Sequence, residues 1–259
     1  MAALMQRVLI VDPQPAAVKL ISDLLREVGP CQIWAAADTA RALVICERID
    51  PHLVIVEQCK AVDGATFTRT LRRSDLTCRK APVIIVTSEA TATAIITARD
   101  SGVHEFLRKP FTIKDLMRRL EAVTLRQRDW VEAVVYVGPD RRRFNSGDYA
   151  GPLKRRLDHL ETPDSARICQ ALKILKSAVG AVESDPRQAL RAMQAQCVEL
   201  ITAATATGNP ALKACAAEMQ VKLEDVTPKT LRAGDVEPLV NQLLAFMPGE
   251  DEAQKSQAA

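Results

Sequence analysis

The run Leu53-Val54-Ile55-Val56-Glu57 leaves this chain few folding options. A half-exposed strand alternates apolar and polar residues. Four consecutive aliphatics, three of them β-branched, instead suit a strand covered on both faces of a parallel sheet. Turn-forming pairs bound the run, Asp50-Pro51 before it and Asp63-Gly64 after it. Comparable runs recur at Val8-Leu9-Ile10-Val11, at Val83-Ile84-Ile85-Val86 and at Phe106-Leu107, with amphipathic segments between them. Val18, Ile21, Leu24, Leu25 and Val28 share one face of a helix over 15–28, which Gly29-Pro30 ends. Further strands near 31–36, 82–87 and 103–108 alternate with helices near 38–48, 64–74, 89–101 and 113–124. Asp38 is placed as the N-cap of the first of these. Five strands interleaved with five helices in about 120 residues predict a (βα)5 doubly wound parallel sheet with right-handed crossovers.

In such a sheet, ligands and chemistry gather beyond the carboxyl ends of the strands. Glu57 falls at one of these ends, and Asp12, Thr87 and Lys109 fall at three others. The frame Val8-Leu9-Ile10-Val11-Asp12, then Leu53 to Glu57 with Asp63-Gly64, then Pro82 to Thr87, then Gly102 to Phe106-Leu107-Arg108-Lys109-Pro110-Phe111, resembles the bacterial response-regulator receiver domain. The resemblance covers residues 6–124 and implies the flavodoxin/CheY-like fold. It further implies a phospho-accepting Asp after the third strand and an acid pair after the first that holds Mg²⁺. A Thr or Ser after the fourth strand and a Lys before a Pro after the fifth would contact the phosphoryl group.

Position by position, Asp12, Thr87 and Lys109 match that pattern, whereas Glu57 stands at the acceptor position and Pro13 at the second acid. The loop from Glu57 to Asp63-Gly64 is also about one residue short of the family pattern, so the Cys59 carbonyl is poorly aimed at a metal. Mg²⁺ requires near-octahedral oxygen ligands, and Pro13 offers neither a ligand nor a charge. One extra methylene shifts the acceptor oxygens by roughly 1 Å, which can cost on the order of 100-fold in rate. Weak or absent Mg²⁺ binding, no cofactor and no catalysis are expected, with Glu57 instead reaching Lys109. The resemblance also implies that Thr87 and the aromatic on strand 5, here Phe106, move together to reshape the face of helix 4, strand 5 and helix 5. Ile95, Ile96, Ala98, Lys114 and Met117 are expected on or near that face. Phe106 as ordinary core is the competing reading.

Residues 125–161 change character. Gly138-Pro139 and Gly151-Pro152 are each followed shortly by a basic triplet, Arg141-Arg142-Arg143 and Lys154-Arg155-Arg156. Gly-rich turns and guanidinium groups suit anions, among them a cyclic dinucleotide, although the spacing lacks the usual cyclic-di-GMP signature. An extended basic linker and a patch for an acidic protein or membrane-proximal surface are the other readings. Over 162–248, Thr162-Pro163, Asp185-Pro186 and Asn209-Pro210 each place a capping side chain before a Pro at the first helical position. Four apolar stripes, the last being Val236, Leu239, Val240, Leu243 and Phe246, predict an all-α four-helix bundle-like domain. It faintly resembles histidine phosphotransfer domains. However, the three histidines, His52, His104 and His159, all lie outside it, which excludes a working phosphotransfer bundle. The tail 249–259 is polar and expected to be disordered.

Composition narrows the function classes. A formal charge of +3 argues neither for nor against a polyanionic partner, and 3% aromatics disfavour a base-stacking surface. The bundle stripes carry only scattered Lys and Arg, so no DNA recognition helix is expected. No signal peptide and no membrane span are expected. Seven cysteines without a CxxC pair read as small core residues in a reducing cytoplasm. Together these readings describe a cytoplasmic, non-catalytic signalling adaptor of a two-component or phosphorelay network. It would act on a histidine kinase, a response regulator or another regulatory protein. The rival readings are a weakly phosphorylatable response regulator with Mg²⁺-dependent acceptor activity and a cyclic-dinucleotide effector using the Arg-rich segment.

Overall fold

The strands that carry the candidate site lie side by side in one parallel sheet. A computed structural model describes residues 5–89, 91–126, 128–141 and 163–247. Its order is β1 (Arg7–Val11), α1 (Pro15–Val28), β2 (Gln32–Ala36), α2 (Thr39–Ile49), β3 (Leu53–Glu57) and α3 (Gly64–Arg73). After a 3-10 turn at Thr77–Lys80 come β4 (Val83–Thr87), α4 (Ala92–Asp100), β5 (Glu105–Arg108) and α5 (Ile113–Thr124). The five strands pair in parallel in the order β2-β1-β3-β4-β5, with Val11 opposite Val56 and Glu57 opposite Val86.

Alternation along each strand divides the core into two layers. Leu9, Val11, Val54, Val56, Val83, Ile85 and Phe106 join one apolar cluster with residues of α2, α3 and α4. Val8, Ile10, Leu53, Ile55, Ile84, Val86 and Leu107 join the other, with Ile21 and Leu25 of α1 and Leu116 and Leu120 of α5. Every residue of β3 and β4 is buried, as continuous aliphatic runs require. Local capping sets the helix starts. Asp38, Asp63 and Thr112 accept backbone N–H bonds at α2, α3 and α5, the last with a reciprocal bond from Asp115.

The described residues divide into two compact units, 5–131 with 136–141, and 132–135 with 163–247. The segment expected as linker from 125 therefore begins with ordered structure. β6 (Trp130–Glu132) and β7 (Val137–Pro139) form a two-stranded ribbon. Gly102, at φ 90°, accommodates the β7 backbone, because a Cβ there would meet the Val137 oxygen at 2.4 Å. Arg72 of α3 is fully buried. Its guanidinium donates to the carbonyls of Gly102 (2.9 Å), Arg79 (2.6 Å) and Ala81 (2.9 Å), and it stacks 5.3 Å from the Trp130 ring. His104 turns Nδ1 to Arg72 Nη2 (3.2 Å) and to the Val83 N–H (3.3 Å). Burial, then the Arg72 and Arg128 charges, hold its imidazole well below its usual pKa and so neutral. Buried Glu105 pairs with Arg119 (3.2 Å) and Arg128, fastening the chain beyond α5 to β5.

In the second unit α6 (Pro163–Gly180), α7 (Pro186–Ala206), α8 (Pro210–Glu224) and α9 (Ala233–Leu244) surround one apolar core. Asp185 and Asn209 cap α7 and α8, as their places directly before a Pro suggested. Glu132 is buried in this unit, where Gln188 donates to its carboxylate (2.9 Å) and Gln196 to its carbonyl (3.1 Å). The tail 249–259 lies outside the described residues.

Arg72→Met strips three carbonyls, one of them buried and two partly buried, of their donor. Stability is expected to drop by about 3–5 kcal/mol. A denaturant midpoint within experimental error of the parent would contradict the clamp.

Candidate functional site

Each site residue is placed by the end of a strand. Asp12 follows β1; its N–H donates to the Ala36 carbonyl (3.0 Å), and its Oδ1 accepts the Gln14 N–H (2.8 Å) at the start of α1. Glu57 closes β3 between β1 and β4. The first turn of α3 comes so close that a Cβ on Gly64 would lie 2.7 Å from the Glu57 carbonyl oxygen. Lys109 follows β5 and is held by its own N–H, which donates to the Thr87 carbonyl (2.7 Å). From there its Nζ pairs directly with Glu57 Oε2 and lies 3.4 Å from Asp12 Oδ2. Asp12 and Glu57 are 4% and 7% exposed, so two nearly buried carboxylates share one ammonium, whose side chain keeps 28% of its surface open to water.

Burial pushes the Glu57 carboxyl above its usual pKa and the neighbouring Asp12 charge adds to this; Lys109 opposes both without cancelling them. Burial also works against the Lys109 ammonium, but Glu57 and Asp12 together outweigh it and hold the lysine above its usual pKa. Lys109 is therefore a fixed cation between two acids.

Thr87, 1% exposed at the end of β4, donates its Oγ1 proton to the Gln58 carbonyl (2.9 Å) and accepts the Glu89 N–H (3.0 Å). Its hydroxyl thus faces the residue directly after Glu57. Phe106 is 5% exposed and packs in the α2–α4 layer. The β3–α3 loop is closed by Cys59 N–H to Val62 O (2.9 Å), and both Asp63 oxygens are engaged by Thr66 (3.0 and 2.6 Å). Beside Asp12 a cleft of about 460 Å³ is lined by Pro13, Val18, Ala36 and Arg41, among others. On the α4–β5–α5 side Ile96, Ile113 and Lys114 are exposed, and Ile95 and Met117 are half-buried. Ala98, expected on or near that face, is buried.

Of the basic residues singled out beyond 140, Arg141 pairs with Asp100 (2.9 Å) and stacks 4.4 Å from the Tyr136 ring. Arg142, Arg143, Lys154, Arg155 and Arg156 lie outside the described residues. Among the described residues, no cluster of three or more His, Cys, Asp or Glu has metal-binding geometry. No described helix is long and apolar enough to cross a membrane.

A doubly wound sheet with an acid, a hydroxyl and a lysine converging at its carboxyl edge defines a receiver-type signalling domain. The family model for the response regulator receiver domain matches residues 8–121. A probable chemotaxis protein CheY of Rhizobium etli is 35% identical over 118 residues, 45% of this chain and 91% of that protein. The DNA-binding dual master transcriptional regulator RpaA of Synechocystis is 31% identical over 123 residues, 47% of this chain and 50% of that protein. Among solved structures, the receiver domain of a sensor histidine kinase from Pseudomonas aeruginosa, with magnesium coordinated in its cleft, is 26% identical. That match covers 46% of this chain and 98% of the other at a TM-score of 0.42. Through residues 8–121 the chain belongs to the response regulator receiver family of two-component signalling.

Lys109→Met removes the opposing cation, so the Glu57 carboxyl is expected to rise further. A folded carboxyl with a raised pKa keeps a proton that the unfolded chain has lost, so stability falls as pH rises from about 4.5 through the folded value. The variant should show this fall more steeply than the parent in denaturant titrations across pH. Parallel profiles would contradict the pairing.

Proposed function

We propose that this chain is a pseudo-receiver, a non-catalytic adaptor of a two-component network in the cytoplasm, working through protein–protein interaction. The observation that supports it is the Lys109 ammonium bridging Glu57 and Asp12. A receiver normally awaits a phosphoryl group to engage its lysine, whereas here a resident carboxylate engages it permanently. Thr87 is already turned toward the residue after Glu57, and Phe106 is already buried, the arrangement the family couples to an active output face.

The donor set does not fit Mg²⁺. Lys109 occupies the space between the two acids, Pro13 supplies no oxygen, and the Asp63 carboxylate caps α3. No step is therefore routed through a metal. The face bearing Ile96, Ile113 and Lys114 is the surface for a histidine kinase, a response regulator or another regulatory protein. The helices α6–α9, read as a four-helix bundle, supply further contact area, and no DNA binding is assigned to them. The match spans about half of the RpaA relative, so it gives no ground for carrying that protein's DNA binding over to this chain. A cyclic-dinucleotide role would rest on basic residues outside the described ones, since Arg141 is already paired with Asp100.

Incubation with a small acyl-phosphate donor and Mg²⁺ tests the reading. The parent chain is expected to keep its mass, and the double variant Pro13→Asp/Glu57→Asp to gain one hydroxylamine-labile phosphoryl group. A labile phosphoryl group on the parent, lost in Glu57→Ala, would restore the phosphorylatable reading.

A further inference from the structure

The core grips α4 weakly. α3 buries Phe67 and Leu71 and α5 buries Leu116 and Leu120, whereas the buried residue of α4 is Ala98. A methyl group removes little apolar surface from water, so the position of α4 depends on what holds its ends. Its outer side carries exposed Ile96, on the face to which a partner is assigned above.

The chain beyond α5 supplies a grip at the C-terminal end of α4. Asp100, the last residue of α4, pairs with Arg99 (3.0 Å) and with Arg141 (2.9 Å), whose guanidinium stacks 4.4 Å from the Tyr136 ring. Tyr136 donates its buried hydroxyl to the Pro139 carbonyl (2.5 Å), which fixes the ring against β7. Backbone meets backbone at the turn into β5, since a Cβ on Gly138 would lie 2.7 Å from the Gly102 Cα and 2.9 Å from the Tyr136 hydroxyl. Arg72 donates to the Gly102 carbonyl (2.9 Å), and Arg72 and Lys80 lie 5.3 and 5.6 Å from the Trp130 ring. Arg128 roots the segment on β5, donating to the His104 carbonyl (2.7 Å) and pairing with Glu105.

We propose that residues 128–131 and 136–141 form a strap that sets the position of α4, and with it the α4–β5–α5 face. Lys109 holds the carboxyl edge of the sheet, and the strap holds the turn that leads into β5. The inference deepens the pseudo-receiver reading and rests on it, because that reading makes this face the docking surface. Arg141 and Asp100 keep 43% and 41% of their side-chain surface open to water. An exposed ion pair is weak and screened by salt, so this pair is the point at which the strap lifts. Lifting it leaves α4 with little besides Ala98 and half-buried Ile95 to keep it in place.

Hydrogen exchange of the intact full chain, followed peptide by peptide by mass spectrometry, tests the strap. Gly138→Val puts a side chain where the Gly102 backbone stands, and Arg141→Ala removes the pair with Asp100. In both variants the amides of 92–100 are expected to exchange several-fold faster, with those of β1, β3 and α5 unchanged. Parent-rate exchange over 92–100 in Gly138→Val would overturn the proposal, whether or not 128–131 and 136–141 speed up. Should Gly138→Val accelerate every element alike, Arg141→Ala decides: faster exchange confined to 92–100 and the strap supports the proposal, and any other pattern overturns it. No phosphodonor is present, so the outcome is independent of whether the parent takes up a phosphoryl group, on which the pseudo-receiver reading stands.

Discussion

A single ammonium bridges two carboxylates that the sheet forces together. Val11 and Val56 are register partners in adjacent strands, so the acids that follow or accompany them, Asp12 and Glu57, have no freedom to separate. Leaving both nearly buried without a cation would be costly, because a charge removed from water needs a paired and hydrogen-bonded environment. Lys109 supplies it from the end of β5, where the Thr87 carbonyl fixes its backbone. The pair and the Thr87 hydroxyl are therefore parts of one connected edge. Replacing either acid or the lysine would disturb Thr87 through the backbone as well as through charge.

A second charge, opposite in sign of need, secures the other end of the first unit. Arg72 is buried, and carbonyl oxygens with an aromatic face take the role a carboxylate often plays for such a charge. Four of its contacts lie on three separate segments, at Gly102, at Arg79 and Ala81, and at Trp130. Residues 128–131 and 136–141 are thus part of the folded receiver unit. The Glu105 pairs with Arg119 and Arg128 reinforce the same junction.

Much of the architecture was legible because parallel strands covered on both faces read as unbroken aliphatic runs, and Asp or Asn before Pro marks a helix start in one glance. The contact between Glu57 and Lys109 was legible too, through the receiver pattern and the extra methylene at the acceptor position. The ribbon at Trp130–Pro139 was not. Each of its strands has only three residues, and Gly138-Pro139 reads as a turn. Arg72 was hidden for another reason, since Leu71-Arg72-Arg73 looks like the solvated end of an amphipathic helix. Its burial depends on carbonyls brought in by tertiary structure. Ala98 misled in the opposite sense, because a small residue carries little periodic signal to say which side of α4 it occupies.

The central claim is that the edge formed by Asp12, Glu57, Thr87 and Lys109 is set in one state by the chain's own charges. The most direct measurement is a backbone amide NMR titration of the full chain with beryllofluoride and Mg²⁺, a stable mimic of an aspartyl phosphate and its metal. The Thr87, Phe106 and Lys109 amides are expected to keep their positions throughout. Saturable shifts of those amides would contradict the account, because they would mean that the site still accepts the ligand and still switches.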